Sequence, residues 1–155
     1  GIDNALREYH REDLIGKSSE VVWTELLHEF TNYGASVEDN MAADALSQAM
    51  ENLEIEDIAD IGNVSVDILL KEMLKEYIKE NFDFRYEEKI SKGKTPAQTS
   101  AILNDMHEYI ENSIDGDLNL DNLKSVDFSN MGTSQIVEDA LSDALSVFEK
   151  YYGED

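Results

Sequence analysis

Apolar residues recur at three- and four-residue intervals along most of this chain, the spacing that turns one face of an α-helix toward a core. The pattern predicts a first short helix over residues 4–15. A second, capped by Ser18 or Ser19, runs to Tyr33 and stops at Gly34, with Val22, Leu26, Leu27, Phe30 and Tyr33 on one face. Ser36 and Asp39 have the form of a capping box and open a third helix. Its stripe is Met41, Ala42, Ala45, Leu46, Ala49, Met50 and Leu53, with alanines that let a neighbouring helix come close. A short acidic turn follows over 54–61 and ends at Gly62-Asn63.

Ser65 then caps the longest helix, 66–91, with Val66, Leu69, Leu70, Met73, Leu74, Tyr77 and Ile78 on its apolar face. Glu72/Lys75 and Glu76/Lys79 are spaced as i,i+3 pairs on the opposite face. Phe82 and Phe84 crowd residues 81–86, where the pattern suggests a kink. Thr95-Pro96 is a strong helix start, a cap followed by proline at the first helical position. That helix turns Ala101, Ile102, Met106, Tyr109 and Ile110 inward and ends near Asp115-Gly116. Residues 117–132 lose the helical period. The last helix opens at Thr133 or Ser134 and carries Ile136, Val137, Ala140, Leu141, Ala144, Leu145, Phe148 and Tyr151 as its core stripe.

The expected fold is therefore all-α: one domain spanning 1–155, a bundle of about five to six helices. One long central helix covers about 66–91, an irregular acidic connector lies near 115–132, and residues 1–17 form a peripheral N-terminal helix. A chain of 155 residues is long enough to bury a real core. There is no cysteine, which excludes disulfides, zinc-thiolate centres and cysteine nucleophiles. No window of about 18 apolar residues offers a membrane span. The polar start (Asp3, Asn4, Arg7, Glu8) is unlike a signal peptide, and Gly1 in place of Met suggests a trimmed beginning. A cytoplasmic location is expected.

Charge changes the picture most. The net charge is −23, from 35 acidic and 12 basic residues. This disfavours direct contact with nucleic acid or with an anionic membrane. The charge is also uneven. Residues 18–70 carry twelve acidic groups and no Lys or Arg, whereas 71–94 carry seven basic against six acidic. Residues 95–155 carry thirteen acidic groups against two basic. Like charges on a helix repel, and solvated helices ordinarily mix signs. The acidic blocks thus call for a use, while the balanced central helix reads as scaffold.

Candidate chemistry is thin. Gly93-Lys94-Thr95 has the tail of a phosphate-binding loop, but Glu88 stands where that loop needs its first glycine. Glu25 and His28 form one Glu-x-x-His pair; a di-iron bundle needs a second, and Asn104 replaces the carboxylate before His107. Asp115, Asp117, Asn119 and Asp121 alternate like calcium ligands, but Leu120 and Val126 occupy the Gly and Glu positions of an EF-hand loop. No serine sits in a nucleophile elbow. The reading is no enzyme, no cofactor and no resident metal, with those four residues as a calcium candidate only.

The expected function is an acidic protein–protein interaction module. It would bind and block a basic, nucleic-acid-binding surface of a partner protein, as DNA-mimicking inhibitors and nuclease-toxin immunity proteins do, and would come from a phage or another mobile element. Carboxylates on rigid helices can stand where phosphates would, which DNA spaces at one per about 1.7 Å. The candidate contacts form three groups: Glu51, Glu54, Glu56, Asp57 and Asp60; Glu138, Asp139 and Asp143; and Asp105, Glu108 and Glu111. The alternative is a helical structural or adaptor subunit of a larger assembly, self-assembly into a homo-oligomer included.

Overall fold

The computed structural model describes residues 12–17, 25, 37–55, 66–118, 123, 126 and 131–153. Four α-helices make up most of the described residues, which contain no strand: α1 (Val37–Asn52), α2 (Val66–Ser91), α3 (Pro96–Asp117) and α4 (Gln135–Tyr152). Short 3-10 turns lie at Glu12–Leu14 and Met131–Thr133. The class is all-α as the periodicity predicts. The count among the described residues is four rather than five to six, because the helices expected over 4–15 and 19–33 and the turn at 54–61 fall mostly outside them.

Helix α2 is the hub, packing against α1, α3 and α4. Its contacts set the directions. Asn52 of α1 bonds Glu76 of α2, and Lys75, Lys79 and Asp83 of α2 meet Asp115, Glu111 and His107 of α3 in reverse order. Helices α2 and α3 are therefore antiparallel, joined by a tight loop. Gly93 takes a left-handed φ of 76° there, which a side chain would disfavour. The Lys94 ammonium donates to the Ile90 carbonyl, and Thr95 closes a reciprocal capping box with Gln98. These caps give Gly93-Lys94-Thr95 a structural role as a helix–helix loop.

One core cluster runs through the bundle, including Leu14, Ile55, Leu123, Val126 and Met131 from outside the four helices. The alanines Ala42, Ala45 and Ala49 are buried on α1, as the stripe predicts. Four details differ from the pattern. Helix α2 shows no break at 81–86: it holds no Pro or Gly, Phe82 turns inward against Tyr86 at 5.2 Å, and Phe84 turns out, 65% exposed. The Glu72/Lys75 pair forms at 2.6 Å, but on a covered flank where Lys75 is only 6% exposed. Ala101 is exposed because it sits one position off the stripe Thr99, Ile102, Met106, Ile110 and Ile114. Tyr151 is 68% exposed, and Tyr152 takes the inward place, stacked on Phe148 at 6.0 Å.

Candidate functional site

The acidic residues divide by what holds them. All five basic residues of α2 are ion-paired. Lys71 and Lys75 meet Asp115 at 3.7 and 3.1 Å, and Lys79 meets Glu76 at 2.8 Å and Glu111 at 3.8 Å. Arg85 grips Glu138 through both nitrogens at 2.8 and 3.2 Å, and Lys89 meets Glu149 at 2.7 Å. The hydrogen bonds from Arg85 hold the Glu138 carboxyl below its usual range. Burial alone would lower the Lys75 pKa, but bonds to Glu72 and Asp115 outweigh it and raise it. The five cations of α2 are thus each paired with a carboxylate of the bundle.

A second class of carboxylates is held by neutral donors. The Tyr152 hydroxyl donates to Asp105 at 2.8 Å and that of Tyr109 to Asp143 at 2.6 Å. The Gln135 amide donates to Asp139 at 2.7 Å. The bond to Asp105 raises the Tyr152 pKa, so the phenol keeps its proton. A neutral donor fixes a carboxylate without cancelling its charge. Because Asp105 meets Tyr152 and Tyr109 meets Asp143, α3 and α4 run antiparallel. Along their seam Asp105 sits at the end of α4 marked by Tyr152, Asp139 and Asp143 lie in the first turns of α4, and Glu108 is exposed on α3. Residues of two of the three expected groups are thus strung along this seam, while Glu111 and Glu138 within them are taken up by α2.

Of the first group, Glu51 and Glu54 are among the described residues. Glu51 lies in the last turn and Glu54 just beyond it; both are exposed beside a shallow depression lined by Ser47, Met50 and Ile55. A helix C-terminus already carries a partial negative charge, and α1 has no basic residue in its last turn to offset it. Glu54 adopts a left-handed φ of 59°, closing the helix with an Ile55 amide to Met50 carbonyl bond of 2.8 Å. Glu56, Asp57 and Asp60 lie outside the described residues, as do Asn119 and Asp121 of the calcium candidate. Of that set, Asp115 and Asp117 sit inside the last turn of α3, with Asp115 facing Lys71 and Lys75. Among the described residues no three His, Asp or Glu side chains group to hold a metal ion. His107 bonds Asp83 at 2.7 Å.

Sequence reasoning missed the phenol donors and one further pair. Glu80 of α2 faces Asp44 of α1, and burial, with the hydrogen bond to Asp44 next, pushes its carboxyl up to about 7. Neither left a signal in the sequence, since the partners lie on different helices.

A family model described as Qat anti-phage system associated protein QatB matches residues 1–148. The chain belongs to the QatB family. No curated protein and no solved structure matches it. The expected connection with phages thus lies on the side of defence against them. As a QatB-family protein the chain is associated with a system and acts alongside other proteins. No helix among the described residues is long and apolar enough to cross a membrane.

Proposed function

We propose that the chain is a non-catalytic interaction subunit of the Qat anti-phage system, acting in the cytoplasm. Its acidic helical surface docks on a basic, nucleic-acid-binding surface of a partner component and covers it. One observation carries the reading. The basic residues of α2 are consumed by ion pairs within the bundle, while Asp105, Asp139 and Asp143 are positioned by neutral donors and keep their charge. A surface of one sign held on rigid helices speeds association with the opposite sign and selects against other partners. The alternative, an adaptor held by apolar contacts, draws support from the exposed rings of Phe84 and Tyr151.

Co-purification of the tagged chain with the other proteins of its system decides between them. Acidic docking predicts a basic partner that is released by about 0.5 M salt, where screening acts within a few ångströms. Changing Glu51, Glu54 and Glu108 together to Lys is expected to weaken that capture at least about ten-fold with helicity unchanged. A partner that stays bound through about 1 M salt and tolerates the reversal establishes the apolar adaptor instead.

A further inference from the structure

Where the last turn of α3 meets the first turns of α4, the seam opens into a groove of about 310 Å³. Its floor is apolar: Ile114 of α3 and Leu118 just past its end, with Ile136 and Ala140 from α4. Its rim carries Asp139 and Asp143, one helical turn apart. Gln135 and Tyr109 orient these two carboxylates at 2.7 and 2.6 Å without neutralising them. Helix α3 contains no Lys or Arg, and the single basic residue of α4, Lys150, lies over the Tyr151 ring at the far end. Among the described residues the groove therefore combines an apolar floor with negative charge on one edge that no Lys or Arg of α3 or α4 offsets.

We infer that this groove is where the acidic surface receives its partner, and that the occupant is a basic amphipathic segment of the partner protein. The inference rests on the acidic-docking reading above and names its contact point. A Lys or Arg side chain lays its methylene stem on apolar surface while its charged head reaches outward. Here the stem would lie on Ile136 and Ala140, and the head would meet Asp139 and Asp143. Neighbouring apolar residues of the same segment would fill the space over Ile114 and Leu118, as amphipathic segments do in hydrophobic grooves. A purely polar cation would leave that floor in water, and a purely apolar segment would leave the carboxylates without a counter-charge.

The test uses the isotope-labelled full chain and two synthetic peptides of equal length and charge, one alternating Lys with Leu at helical spacing, the other Lys with Ser. The Lys/Leu peptide is expected to shift the backbone amide signals of Ile114, Ile136 and Ala140 and to bind at least about ten-fold more tightly than the Lys/Ser peptide. Asp139→Asn with Asp143→Asn should weaken binding of the Lys/Leu peptide at least about ten-fold while keeping the helical spectrum, since asparagine can still accept from Gln135 and Tyr109. Ala140→Trp should fill the groove and block the peptide; if it unfolds the bundle, the isosteric pair of variants decides alone. Equal binding of the two peptides, or signals shifted only away from the seam, overturns the groove. Should partner capture respond to salt and to the reversal at Glu51, Glu54 and Glu108 but ignore Asp139→Asn/Asp143→Asn, the groove is wrong and acidic docking stands. Capture indifferent to salt removes the docking reading itself.

Discussion

Glu80 shows how a single side chain can carry the strain of an acidic domain. It is half-buried on α2, faces Asp44 across the α1 interface, and also feels the charges of Asp83 and Glu76. Burial makes ionising Glu80 costly, and the hydrogen bond to Asp44 adds to this by holding the proton between the two carboxyl groups. With a folded pKa near 7 against an ordinary 4.5, Glu80 binds its proton more tightly in the folded chain than in the unfolded one. The bundle is then favoured at low pH and loses that contribution as pH rises from about 4.5 through about 7. Glu80→Gln keeps a donor to Asp44 and has no proton to lose. Urea midpoints of the variant and the parent should lie close together near pH 5 and diverge in the variant's favour near pH 8. A gap that does not change with pH would refute the shared proton. None of this was legible in the sequence, because the two acids sit on separate helices and look like solvated surface in each.

At the scale of elements the sequence was read well where a local rule decides. The end of α2 and the start of α3 follow from a glycine just past the last turn, a threonine cap and proline at the first turn. Thr95→Ala removes the hydroxyl that accepts from the Gln98 amide at 3.1 Å and leaves only the reciprocal bond of 2.9 Å, from the residue-95 backbone N–H to the Gln98 side chain. It should lower stability by about 1 kcal/mol, read as a shift in the urea midpoint at unchanged slope. Where neighbours decide, the pattern was less informative. Crowded aromatics at 81–86 suggested a kink, yet a helix without Pro or Gly can distribute rings to both sides. Tyr151 and Tyr152 are equivalent by periodicity. The choice falls to Tyr152 because Asp105 and Phe148 are there to receive it. Lys75 likewise looked solvent-facing until α3 brought Asp115 over it.

For the whole molecule the charge of −23 bears on stability. The ion pairs of α2 are mostly partly exposed, and such pairs contribute about 0–1 kcal/mol each, whereas the repulsion of the surplus acids acts over the whole surface. Screening should therefore help the fold more than it harms the bridges. The thermal midpoint is expected to rise by several degrees between about 0.05 and 0.5 M sodium chloride; a fall would mean that the bridges dominate. The acidic surface was visible in the sequence as three clusters. Invisible was their sorting into carboxylates neutralised by α2 and carboxylates left charged, because that depends on which helix lies beside which. The apolar floor between α3 and α4 was hidden for the same reason, each half looking like ordinary core stripe.

The two phenol–carboxylate bonds across α3 and α4 have a consequence for distance. A slip of one helical turn, about 5.4 Å, would break both bonds at once. They therefore lock the sliding of one helix against the other, and with it the separation between negative charges along the seam. The bundle behaves as a ruler with its graduations pinned. A partner whose cations match those intervals would find them already set, and one with a different spacing could not adjust them without prising the two helices out of register.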